Sequence, residues 1–211
     1  MSAPRTVSDP AELTDVDERW PVVGSSDLHR DSWVVALRAD QVQRPGAAEE
    51  PFRRLVVEHP GAAVVLAVDD EEHVLCVRHY RHAAGRRFIE LPAGLCDAAG
   101  EDPLAVAQRE LREEVQTAAR EWAHLTSAYS SPGISAELVH YYLARGLTHD
   151  GRGDFELAHE EADMEVLRVP FADLYAAVLS GRLTDTPLVV AVLTAAARGL
   201  ADPGPRGATA G

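Results

Sequence analysis

Glu110, Glu113 and Glu114 stand within one heptapeptide, RELREEV, at residues 109–115. The longer stretch around them, LPAGLCDAAGEDPLAVAQRELREEVQ, holds six carboxylates behind a glycine-bearing turn. On a helix, positions i, i+3 and i+4 share a face, so the three glutamates project together and repel one another by roughly 0.2–0.5 kcal/mol per pair. One reading is a solvated acidic face, relieved by an Arg109–Glu113 pair. The other is a cation site. Mg2+ takes oxygen ligands, only a few of them from protein, and leaves positions for water and substrate phosphate. Carboxylates at a helix end, faced by a turn that can offer a backbone carbonyl, meet that demand.

The elements that must hold these residues can be read around them. Leu104, Ala107, Leu111 and Val115 recur at spacings of three and four, predicting a helix from Pro103 to about Val115. Pro103 suits its first turn, and Glu101 and Asp102 complement its dipole. Upstream, AAVVLAVD and HVLCVRHY flank the acidic turn DDEE and predict a hairpin with a buried first strand. RFIELPAG predicts a short strand ending at Pro92 and Gly94. Strand text returns in EWAHLTSAY, ELVHYYLARGL and DMEVLRVP, and the helices FADLYAAVLSG and TPLVVAVLTAAARG follow. DSWVVALRADQV and PFRRLVVEH predict a small antiparallel β unit within residues 20–60, joined by RPGAAEE. The expected class is α/β (α+β): a mixed sheet flanked by helices over 61–200, with that unit as an appendage. Residues 1–19 and 201–211 are expected to be loosely ordered.

Composition excludes several functions. A formal net charge of −14 argues against general binding to nucleic acid or to an anionic membrane. No run of about 18 apolar residues predicts a membrane span. The acidic N-terminus has no apolar segment of a secretory signal, and Cys76 and Cys96 are too few for a disulfide framework. A cytoplasmic protein is expected. The chain has no lysine, so phosphate contacts fall to arginine or to backbone N–H groups.

The acidic segment resembles the Nudix box, G-x5-E-x7-R-E-U-x-E-E-x-G-U with U aliphatic. Gly94, Glu101, Arg109, Glu110, Leu111, Glu113 and Glu114 match, and the spacing from Glu101 to Arg109 is intact. Six residues rather than five separate Gly94 from Glu101, and Gln116 and Thr117 replace the final glycine and aliphatic residue. A non-glycine at a left-handed helix end costs around 1 kcal/mol. The resemblance implies a Nudix α/β/α sandwich and hydrolysis of a nucleoside diphosphate linked to another group. VRHYRHAAGRRFIELPAGL, SSPGISAE and HEEADMEVLRVP are similar to the ADP-ribose pyrophosphatase subfamily, in particular to its actinobacterial members.

That resemblance implies a site. Glu110 and Glu114 would hold Mg2+ (or Mn2+), Glu113 would assist, and the Ala93 carbonyl would be a ligand. Glu161 would be the catalytic base, with Glu160 the runner-up and Glu113 the fallback. Arg81 would meet a phosphate and Glu90 would lie near the terminal ribose. Trp33 is core or interface filler, or stacks on the adenine, a contact worth about 1–3 kcal/mol per base. In relatives the N-terminal unit exchanges between two protomers, which implies a homodimer with Arg54 as a candidate contact from the partner. His79, His82, His140 and His159 form no ligand set and are read as ordinary. Cys96 has no base partner for a nucleophile role. The alternatives are a hydrolase of a GDP- or UDP-linked sugar, or a silent Nudix ligand sensor. The intact box carboxylates and the acidic charge count against the sensor.

Overall fold

The computed structural model describes residues 5–98, 100–151 and 163–204. Glu160 and Glu161, and residues 205–211 of the expected loose tail, lie outside the described residues. The hub is β4 (Ala62–Ala67), whose text AAVVLA is buried at every position but the first. A continuous apolar run of this kind suits a strand covered on both faces. It runs parallel to β9 (Leu138–His149) and antiparallel to β7 (Ala93–Leu95). β8 (Thr117–Tyr129) completes the order β7-β4-β9-β8.

Side-chain alternation divides β4 between two cores. Val64 and Leu66 pack with Tyr141, Phe171, Leu174 and Leu188, under α2 (Phe171–Leu179) and α3 (Thr186–Ala197). The smaller Ala63 and Ala67, with Val65, meet Val106, Ala107 and Leu111 of α1 (Pro103–Val115). This is the α/β/α sandwich that the box implied.

The expected hairpin does not form as a paired unit. After a single bridge between Val68 and Val74, β5 (His73–Arg81) leaves β4. It joins β6 (Arg86–Glu90) and β10 (Glu165–Pro170) in a second, antiparallel sheet ordered β10-β5-β6. Both edges of β4 are taken by β7 and β9, so no edge remains for β5. RFIELPAG is likewise divided between β6 and β7, and its Leu91–Pro92 step hands the chain from one sheet to the other. A third sheet holds β1 (Val22–His29), β2 (Ala36–Val42) and β3 (Phe52–Glu58) in that order. Of these, β1 escaped the sequence reading because its text, VVGSSDLH, carries no clean alternation.

Helix α1 has the predicted bounds. The Asp102 side chain caps it by accepting the Leu104 N–H at 3.1 Å, with Pro103 next in line. The inserted residue is absorbed before this cap, in the loop where Gly100 takes φ 80° and the Glu101 N–H reaches the Ala98 carbonyl at 3.1 Å. At the other end Gln116 is left-handed, φ 54° and ψ 41°, and its N–H donates to the Arg112 carbonyl at 2.9 Å. A side chain in this conformation is strained where glycine is not. Gln116→Gly should therefore raise stability by about 1 kcal/mol, or roughly 2–4 °C in melting temperature for a chain of this size. A melting scan showing no gain would mean that the strain is relieved elsewhere.

Candidate active site

Helix α1 brings its glutamates against β7, and a cleft of about 740 Å³ opens at this junction. Ala93 and Gly94 form one wall, Arg109, Glu110, Glu113 and Glu114 another, and His79 and Arg81 of β5 a third.

Gly94 answers a demand for space. A Cβ at this position would lie 2.0 Å from Glu110 Oε1 and 2.2 Å from its Cδ. Only glycine lets the strand and the carboxylate approach so closely. Glu114, 8% exposed, accepts the Ala93 N–H at 3.1 Å through Oε2. The ladder bonds run from the Val65 N–H to the Pro92 carbonyl and from the Cys96 N–H to the Gly61 carbonyl. Antiparallel alternation therefore turns both polar groups of Ala93 away from β4, to the open edge of β7. The N–H meets Glu114, and the carbonyl faces the same edge.

Arg109 gathers the acidic residues of the box. Its Nη1 donates to Glu110 Oε1 at 2.6 Å and to Glu113 Oε2 at 3.2 Å, and its Nη2 lies 3.7 Å from Glu101. Among the described residues, no three His, Cys, Asp or Glu side chains converge as a ready-made metal cage. The donor set is still all oxygen, three carboxylates and a carbonyl, which suits a hard cation that keeps several waters. Such an ion would compete with Arg109 for Glu110.

Arg81 and Glu90 form a fork. Arg81 Nε lies 3.0 and 3.1 Å from the two Glu90 oxygens, and Nη2 lies 2.7 Å from Oε2. Glu90 is 5% exposed, whereas half of the Arg81 side chain remains open to the cleft. Trp33, in the β1–β2 connection, lines the cleft of its own chain. Arg54 is not brought there. It stands on β3 over the Phe52 ring at 4.3 Å, in a separate groove with Tyr129 and Ile134.

Several lining residues escaped the sequence reading, among them three polar ones that face one another across the cleft or stand beside Arg81. His79, read as ordinary, is buried at the cleft wall, and its position two before Arg81 on one strand was the available signal. His59 and Glu137 line the far side, with His59 Nε2 3.6 Å from Glu137 Oε1. Nothing local marks them, because they meet only through the fold. Cys96 is no nucleophile here: burial, then the Glu101 charge, pushes its thiol above the usual range and disfavours the thiolate.

The profile of the NUDIX domain matches residues 57–188. The chain is a member of the Nudix family. An ADP-ribose pyrophosphatase of Mycobacterium tuberculosis is 44% identical to this Nudix protein over 185 residues, covering 87% of each chain. An ADP-ribose pyrophosphatase of Bacillus subtilis is 35% identical over 161 residues, which are 75% of this chain and 83% of that one. The crystal structure of an ADP compounds hydrolase aligns with a TM-score of 0.68 over 89% of this chain and 96% of that one; at 18% identity it speaks to the fold alone.

The Gly94 contact yields a test within the Nudix box. Gly94→Ala should displace Glu110 and lower turnover or metal affinity about 10–100-fold, the usual effect of disturbing the support of a ligand. Steady-state kinetics across a metal titration would measure both. Wild-type values in a folded variant would show that the contact does not position Glu110.

Proposed function

We propose that this Nudix protein is an ADP-ribose pyrophosphatase that adds water across the diphosphate of ADP-ribose, giving AMP and ribose 5-phosphate. One observation carries the reading: Glu110, Glu113 and Glu114 of the box, Ala93, Arg81 and Trp33 all line a single cleft. The names of the two curated relatives support it. Oxygen donors at the middle of the cleft suit a cation-bound diphosphate, and an exposed tryptophan at its rim suits a base.

In this proposal Glu110 and Glu114 hold Mg2+ or Mn2+, with Glu113 and the Ala93 carbonyl assisting. The bound cation supplies charge neutralisation and a lowered pKa for water. Arg81, kept in place by Glu90, binds a phosphate oxygen. Arg109 offsets the mutual repulsion of the box acids. Glu161 takes the proton of the attacking water, and Glu160 is the runner-up. The enzyme works in the cytoplasm as a homodimer. Supporting a dimer, Val22, Val23, Leu28 and Leu55 of the N-terminal sheet are 40–60% exposed, an apolar surface that suits a second copy. Arg54 and the groove beside Tyr129 belong to that surface.

Incubation with ADP-ribose, GDP-mannose and UDP-glucose, with products resolved by chromatography, tests the reading. ADP-ribose should be cleaved fastest, and excess chelator should abolish the reaction. Preference for another nucleotide sugar would reassign the substrate, and activity in chelator would sink the metal reading. Glu161→Gln should bind ADP-ribose normally yet turn over about 10²–10⁴-fold more slowly, as expected for a lost general base. Full activity of both Glu161→Gln and Glu160→Gln would place the base elsewhere. In sedimentation the protein should run as a dimer, and a fully active monomer would contradict the assembly.

A further inference from the structure

The side of the cleft that holds His59 and Glu137 is built from two stretches, residues 57–61 and 130–138, which the fold clamps together. Val57 of β3 donates its N–H to the Ile134 carbonyl at 2.8 Å. Four residues on, Gly61 takes φ 93°, and a Cβ there would lie 2.8 Å from the Leu138 carbonyl oxygen. Glycine permits that approach and that backbone conformation, and a side chain does not. The two contacts pin the connection between β8 and β9 at its middle and at its exit. His59 and Glu137 stand between them.

Glu137 is held from several directions. Its Oε2 accepts the Ser130 hydroxyl, its N–H donates to Ser135 Oγ at 3.1 Å, and its carbonyl accepts the Ser130 N–H at 3.1 Å. Its Oε1 lies 3.6 Å from His59 Nε2. His59 Nδ1 accepts the Gly61 N–H at 3.1 Å, so the neutral ring carries its proton on Nε2, the nitrogen nearest Glu137. The turn at Gly61 needs only an acceptor at residue 59, which asparagine or aspartate would supply equally well. It makes no use of the second ring nitrogen. Both side chains are partly covered, 14% and 27% exposed, and both line the cleft. A separation of 3.6 Å is longer than a hydrogen bond, and contacts of this kind in enzyme clefts tighten when substrate binds.

We propose that His59 is a positioning residue: through its Nε2–H it holds the Glu137 carboxylate at the cleft wall, where Glu137 accepts a hydrogen bond from the substrate. An ionised carboxylate only accepts, so its partner is a hydroxyl or amino group of the nucleotide. This inference rests on the nucleotide-sugar reading of the cleft.

Two variants separate the two ring nitrogens. His59→Asn keeps an acceptor for the Gly61 N–H and loses the donor to Glu137. His59→Gln keeps an amide N–H near the place of Nε2 and loses the acceptor. Melting temperatures and steady-state kinetics with ADP-ribose and excess Mg2+ are compared for both, and for Glu137→Ala with and without His59→Asn. His59→Asn should melt as wild type does yet raise KM about tenfold, as for a lost hydrogen bond to a charged group, with kcat little changed. His59→Gln should melt lower and keep a near-wild-type KM. A merely structural role predicts the reverse, with KM following stability. In the Glu137→Ala background, His59→Asn should add nothing to KM. Unchanged KM in His59→Asn, an equal or larger rise in His59→Gln, or an undiminished effect without Glu137 overturns the proposal. Wild-type protein that does not cleave ADP-ribose would instead overturn the functional reading on which it rests.

Discussion

Glu110 lies closer to residue 94 than any side chain there would permit, and Glu114 is tied to the neighbouring Ala93 N–H at 3.1 Å. These two contacts hold the glutamates of α1 against β7. Helix periodicity does the rest: once Glu110 and Glu114 face the strand, Glu113 flanks them at the cleft, and Val106, Ala107 and Leu111 are carried into the core. One helix thus serves packing and chemistry with adjacent faces. The small residues Ala63 and Ala67 on β4 belong to the same constraint, since they let α1 settle onto the sheet that carries β7.

The acidic cluster is tolerable because its charge is distributed. Arg109 meets Glu101, Glu110 and Glu113, the Ala93 N–H meets Glu114, and Arg81 meets Glu90. Each of these carboxylates has a donor directed at it, which offsets the cost of partial burial. The same partial burial lowers the local dielectric, so a cation or phosphate entering the cleft interacts more strongly with these groups than it would at an open surface.

The sequence was most legible where a pattern is local. Helix α1 could be bounded because its stripe, its proline and its acidic start lie within fifteen consecutive residues, and Gln116 at its end proved to be the left-handed residue that the box pattern implies. Most of the strand text was located correctly, β1 and the break between β6 and β7 excepted, but the pairing of the β4 text with the β5 text was not. A hairpin was the natural reading of two apolar runs around DDEE, yet β4 gives its edges to β7 and β9, partners that no local pattern names. The site divided in the same way. Glu110, Glu113 and Glu114 came together as expected, whereas His59 and Glu137 reach the cleft from connections whose text is unremarkable. Arg54, expected at the site, lies in another groove of the chain.

The central claim is that the box carboxylates, held at β7, constitute a binding site for a hard divalent cation. Titrating Mn2+ into the substrate-free protein, with free ion followed by electron paramagnetic resonance, tests it without relying on turnover. Wild type should bind Mn2+, and Glu110→Gln and Glu114→Gln, each with an unchanged circular dichroism spectrum, should bind it at least about tenfold more weakly. Equal affinity in all three proteins would contradict the account.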